Sequence, residues 1–131
     1  MLDAAEGLDV SFGGRYEAHD LRHIAQHADL AVFPSRAEET FGLVVAEARA
    51  VGLPVIVSDR GALHEGVGSA GTSFAAADPQ ALATVLRALL DDPERLASWA
   101  SAARSDLLAP AEHADVLAAL YARALSRSDP S

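Results

Sequence analysis

Short, unbroken apolar runs alternate along this chain with segments whose apolar residues recur at helical spacing, and that alternation restricts it to an α/β architecture. The clearest run is Pro54-Val55-Ile56-Val57-Ser58, β-branched and bounded by proline and Asp59. Leu30-Ala31-Val32-Phe33, closed by Pro34-Ser35, has the continuous apolar character of a strand covered on both faces. Leu8 to Phe12, ending in Gly13-Gly14, and a weaker stretch from Thr72 to Ala75 are further expected strands. Helices are expected from Leu21 to Ala28, from Phe41 to Val51 with Gly52 ending it, and in short form near Ala62 to Val67. Asp78-Pro79 and Asp92-Pro93 repeat one start signal, an N-cap followed by proline at the first helical position. They open helices to Leu90 and to about Ser105, and Pro110 precedes a last amphipathic helix over about 111–125. The expected fold is a Rossmann-like three-layer α/β/α domain with a parallel sheet of about four strands. Its ligands would lie beyond the carboxyl ends of those strands.

The 131 residues suffice for one such domain, and no apolar run approaches the roughly 20 residues that cross a bilayer. The acidic start Met1-Leu2-Asp3-Ala4-Ala5-Glu6 lacks the form of a secretory signal, so a cytoplasmic location is expected. No cysteine is present, which removes disulfides, thiolate metal sites and thiol nucleophiles. A formal net charge of −9 opposes nucleic acid or anionic lipid as a general partner, because those surfaces are bound by lysine and arginine. An anionic ligand therefore needs a local site.

The segment Pro34-Ser35-Arg36-Ala37-Glu38-Glu39-Thr40-Phe41-Gly42-Leu43-Val44-Val45-Ala46-Glu47-Ala48 offers one. A strand ends, a polar loop follows, and Gly42 in the first turn of the next helix lets a ligand approach the backbone. The free N–H groups of Phe41, Gly42, Leu43 and Val44 and the positive helix end favour phosphate, by about 0.3–2 kcal/mol for the dipole. Glu39 precedes the helix, and Glu47 in its second turn lies on the apolar stripe, where a carboxylate needs a cation, donor groups, ligand hydroxyls or water. On chemistry alone, a capping Glu39 and a Glu47 that snorkels or pairs with arginine are equal alternatives to ligand binding.

The pattern Pro-Ser-x-x-x-Glu-x-Phe-Gly-Leu-Val-Val-x-Glu-Ala, with Glu39 and Glu47 flanking seven residues, resembles the Glu-x7-Glu signature of group 1 (family 4) glycosyltransferases of the GT-B fold. Val10-Ser11-Phe12-Gly13-Gly14 with Leu21 and Ala28-Asp29 resembles the preceding family block, and Gly52-Leu53-Pro54-Val55-Ile56 the following one. Asp59-Arg60-Gly61-Ala62-Leu63-His64-Glu65 resembles the family's Asp-x-Gly-Gly-x-x-Glu loop, with Ala62 in place of the second glycine. The likeness covers about residues 8–105. It implies that Glu39 is the catalytic-site carboxylate facing the donor sugar near the reacting carbon, and that Glu47 accepts hydrogen bonds from the ribose. Backbone groups of Phe41, Gly42 and Leu43 would contact sugar and phosphate, and the Gly14-Arg15-Tyr16 turn would line the base, with a merely solvated Arg15 and Tyr16 equally open.

The resemblance implies a partial C-terminal, nucleotide-sugar-binding domain of a retaining enzyme that moves a hexose from a nucleoside diphosphate sugar to an acceptor, with no metal and no cofactor. The family's acceptor domain is missing from this chain. So are the first two strands of the family's 3-2-1-4-5-6 sheet and the cationic grip they carry. The strand near Val10 is then expected either to pair directly with the one near Leu30 or to leave the sheet poorly closed, with self-association open at its edge. Rival readings are a non-catalytic binding fragment and a GT-B nucleotide-sugar epimerase.

Elsewhere, Arg60 and Glu65 are expected to form a loop salt bridge, and Trp99 and Tyr121 to pack. His19, His23 and His27 are expected on one solvated helical face rather than at a metal. Neither a Gly-x-Ser-x-Gly nucleophile elbow nor a Gly-x-Gly-x-x-Gly dinucleotide loop is expected.

Overall fold

A computed structural model of the chain describes residues 6–38, 40, 42–105, 115, 118, 119 and 121–123. Among them three strands form one parallel sheet in the order β1-β2-β3: β1 (Ala31–Phe33), β2 (Val55–Ser58) and β3 (Gly71–Phe74). Val32 stands opposite Ile56, which stands opposite Thr72. The central strand β2 is buried at every position, as its unbroken apolar sequence requires when both faces are covered.

Its side chains divide the core in two. Val55 and Val57 meet Val45, Ala48, Leu53, Leu63 and Val67 on one face, where α1 (Leu21–Gln26) and α2 (Leu43–Ala50) lie. Ile56 points the other way, into Phe74 and Leu89, beneath α3 (Pro79–Leu90) and α4 (Pro93–Ser105). Trp99 packs against this second cluster from α4. The result is helix, sheet, helix, three layers built by the two-residue periodicity of one strand.

Several expectations are corrected. Leu8 to Phe12 is not a strand: Leu8 and Phe12 are 68% and 70% exposed, and β1 pairs with β2 alone, so the sheet has three strands among the described residues rather than about four. The pairing expected between a strand near Val10 and β1 does not occur among the described residues. The helix expected from Phe41 starts at Leu43, and the short helix near Ala62 to Val67 contracts to a 3-10 turn, His64–Gly66. Contrary to expectation, the string Gly66-Val67-Gly68-Ser69-Ala70-Gly71 does have the Gly-x-Gly-x-x-Gly spacing. It leads into β3 instead of opening a helix, so it has none of the strand-turn-helix context that binds a dinucleotide.

His19 lies in a separate 3-10 turn (Ala18–Asp20) near Glu17 and Asp20, while the rings of His23 and His27 lie 4.7 Å apart at a 55° tilt, so the three histidines do not share one helix. Tyr121 is 52% exposed instead of packed. The helix expected over 111–125 lies mostly outside the described residues. No helix among those described is long and apolar enough to cross a membrane.

Candidate functional site

Three loops leave the carboxyl ends of the strands side by side: one that begins at residues 34–38 after β1, 59–63 after β2 and 75–78 after β3. Asp59 ties the last two together. Its N–H donates to the Phe74 carbonyl at 2.9 Å, and its Oδ1 accepts from the Ala76 N–H at 2.9 Å.

Two helices open at this rim, and they treat their first turns differently. Asp78 fills the head of α3, its Oδ1 accepting from the N–H groups of Gln80 and Ala81 at 3.0 Å each. The head of α2 has Gly42 in that place, which offers no side chain and makes no side-chain cap. The Gly42 carbonyl accepts from Val45 at 3.0 Å and Ala46 at 3.4 Å, so the N–H groups of Leu43 and Val44 lie ahead of the first helical acceptor. That end of α2 is therefore suited to an anionic oxygen, in the way a capped helix is not.

Gly42 is glycine for two independent reasons. Its φ of 57° places it in the left-handed region, and a Cβ there would lie 3.0 Å from the Ala62 carbonyl oxygen. The head of α2 is thus pressed directly against the loop after β2. Gly61 turns that loop at φ 56°, whereas Ala62 is not among the described residues with positive φ. Ala62 can carry a methyl where the family pattern has a second glycine because its backbone does not demand the left-handed conformation.

Glu47 is half-buried and has no hydrogen-bond or ion-pair partner among the described residues. It sits at the margin of the apolar stripe rather than within it, roughly 100° around the helix from buried Ala48. Of the two alternatives for Glu47, pairing with an arginine is not what the structure has. Its carboxylate is open to solvent or ligand. Glu39 and Phe41 lie outside the described residues.

Gly14 turns the chain at φ 70°, and Arg15 and Tyr16 beside it are exposed, with no hydrogen bond or ion pair tying them to the head of α2. The structure thus brings Gly42, Leu43 and Glu47 onto one helix and leaves the Gly14-Arg15-Tyr16 turn in solvent. Arg60 and Glu65 form no salt bridge; both are exposed. What holds this loop instead is Arg49, whose Nη1 donates to the Gly66 carbonyl at 2.7 Å. The sequence reading missed Arg49, and the spacing of Gly66 and Gly68, which leaves room for a side chain lying across them, was the available signal.

Among the described residues, the hydroxyl of Ser58 is buried without a partner. Ser58, at the end of β2, is fully buried and its Oγ makes no hydrogen bond. A hydroxyl desolvated without compensation costs about 1–3 kcal/mol. Ser58→Ala should therefore raise stability by about 1 kcal/mol, read as a higher urea midpoint at unchanged slope. A midpoint that falls would mean that the hydroxyl has a partner in solution.

Comparison with known proteins bears on this arrangement. The family model described as glycosyl transferases group 1 matches residues 2–106. Glycogen synthase of Mycobacterium tuberculosis is 39% identical over 113 residues, which are 82% of this chain and 27% of that protein. A GDP-mannose-dependent monoacylated alpha-(1-6)-phosphatidylinositol monomannoside mannosyltransferase of Corynebacterium glutamicum is 36% identical over 104 residues, 74% of this chain and 27% of that one. Among solved structures, sucrose-phosphate synthase from Thermosynechococcus elongatus superposes with a TM-score of 0.73 at 30% identity, over 97% of this chain and 33% of that chain. The chain thus spans a third or less of the length of these relatives. With an uncapped glycine at the head of α2 and a parallel sheet behind it, the chain belongs to the group 1 glycosyltransferases of the GT-B architecture.

Proposed function

We propose that this chain is the donor-binding part of a retaining glycosyltransferase, which moves a hexose from a nucleoside diphosphate sugar to an acceptor. The diphosphate lies against the N–H groups at the head of α2, Glu47 accepts hydrogen bonds from the ribose, and Glu39 faces the sugar. In the transfer the bond from the anomeric carbon to the diphosphate breaks, the acceptor hydroxyl oxygen bonds to that carbon with its configuration retained, and the hydroxyl proton passes to the departing diphosphate. Negative charge grows on the departing diphosphate, and fixed N–H dipoles at a helix head favour that charge without reorganising. No metal or cofactor enters this reading.

The observation that carries it is the contrast between α3, which fills its own first turn with Asp78, and α2, which leaves its first turn to a glycine beside an unpartnered, half-buried carboxylate. The name of the Corynebacterium relative, a GDP-mannose-dependent enzyme, supports a nucleoside diphosphate sugar as donor. For the 131-residue chain the measurable property is donor binding.

Titrating UDP, ADP, GDP and their hexose conjugates into the chain by calorimetry should reveal binding of one nucleotide class. Glu47→Gln should weaken it by about tenfold to a hundredfold, the loss of a charged hydrogen bond worth about 1.5–3 kcal/mol. Absence of binding by every nucleotide at millimolar concentration would remove the donor-site reading.

A further inference from the structure

We infer that Arg49 is a positioning residue for the donor site: it sets the place of the loop after β2 against the head of α2 without touching the ligand. The inference rests on the donor reading above for its functional consequence, and on geometry alone for the tether itself.

The loop and turn from Asp59 to Gly68 lie along α2 rather than beyond it. At the head of the helix, Gly42 touches the Ala62 backbone. In the middle, Leu63 and Val67 are buried with Val45 and Ala48, and a Cβ on Gly66 would come within 3.2 Å of the Val45 Cγ1. At the tail, the Arg49 guanidinium donates to the Gly66 carbonyl at 2.7 Å across a part-buried surface. A Cβ on Gly68 would come within 3.4 Å of the same guanidinium. Gly66 is small because α2 puts Val45 against it, while Gly68, with φ 54°, adopts the left-handed conformation that favours glycine and lies in ordinary contact with Arg49.

The middle contacts are apolar, so they oppose separation of loop and helix but do little against sliding. The Arg49 bond is directional, and a charged donor on a carbonyl is among the stronger hydrogen bonds. It therefore fixes the register of the loop along the helix. A loop that slid would carry the Ala62 carbonyl with it, and with it the backbone that confines Gly42 and shapes the space before the Leu43 and Val44 N–H groups. Arg49 lies seven residues from Gly42, roughly 10 Å along the helix, so its effect on a ligand at the head is indirect.

The test pairs Arg49→Met, which keeps the stem and removes the donor, with Arg49→Lys, which restores a cation without the planar fork. Amide hydrogen exchange on the ligand-free chain reads the tether through the Gly66, Val67 and Ala70 N–H groups, each hydrogen-bonded within the segment. Arg49→Met should lower their protection about tenfold while Val55 and Val57 in β2 keep theirs, and Arg49→Lys should recover part of the loss. Protection that is unchanged, or lost equally in β2, would overturn the tether. Should Arg49→Met not fold, Arg49→Lys carries the same comparison at smaller amplitude.

Calorimetry with the nucleoside diphosphate bound by the unaltered chain then reads the consequence, an affinity about threefold to tenfold lower in Arg49→Met. Loosened loop amides with undiminished affinity would refute the positioning role. If the unaltered chain binds no nucleoside diphosphate, the donor reading fails, and with it the positioning role, while the exchange pattern still decides the tether.

Discussion

Gly71→Ala should cost this domain about 3–5 kcal/mol, a large share of the roughly 5–15 kcal/mol that holds a domain of this kind together. Gly71 opens β3 and stands opposite Val55 in the parallel register. A Cβ there would drive into the Val55 carbonyl oxygen, with the carbonyl carbon only 2.8 Å away and the Val55 Cγ2 at 3.1 Å. The oxygen belongs to the backbone of the central strand, so no rotamer change relieves the overlap. Either β3 moves off β2, sacrificing the adjacent bond from the Val55 N–H to the Ala70 carbonyl at 3.0 Å, or β2 shifts within a core buried on both sides. Gly13 is the control: it is exposed, its φ is not positive, and a Cβ would meet nothing within 4 Å. Gly13→Ala should stay within about 0.5 kcal/mol of the parent in the same urea melts. Equal midpoints for the two variants would contradict the β2–β3 register described here.

How much of this was legible in the sequence follows from which interactions are local. β2 reads directly because five neighbouring residues carry the whole signal, apolar on both faces and bounded by turn formers. The start of α3 reads because Asp78 caps groups only two and three residues ahead. Leu8, Val10 and Phe12 misled because a short apolar run reports only the capacity to form half of a pair. The ladder on that side of the described sheet ends at β1, and those three side chains stay exposed.

The site shows the same division. Gly42 was recognisable as an opening for a ligand, but its left-handed backbone and its contact with Ala62, twenty positions along the chain, were not; no local pattern encodes them. The salt bridge expected between Arg60 and Glu65 failed because the chain turns through Gly61 between them and then tightens into a 3-10 turn. The ion that does hold the loop, Arg49, acts across seventeen residues.

Gly42→Ala should separate the role of the helix head from the stability of the helix. Alanine at φ 57° costs about 1–2 kcal/mol for its backbone alone, and its methyl at 3.0 Å from the Ala62 carbonyl forces the loop and helix head apart. Gly52, just past the other end of the same helix, provides the comparison. It has φ 84°, so alanine there incurs a similar backbone penalty, but the nearest atom to its Cβ is the Arg104 Cγ at 3.3 Å, the stem of an exposed and flexible side chain. Both variants should lower the urea midpoint, Gly42→Ala by more because its added methyl meets backbone rather than a side chain. Only Gly42→Ala should also weaken nucleoside diphosphate binding, by at least about tenfold or about 1.4 kcal/mol, because it alone displaces the Leu43 and Val44 N–H groups from the anion they face. If the two substitutions reduce affinity equally, the loss follows the general loosening of α2, and the diphosphate must be held somewhere other than its first turn.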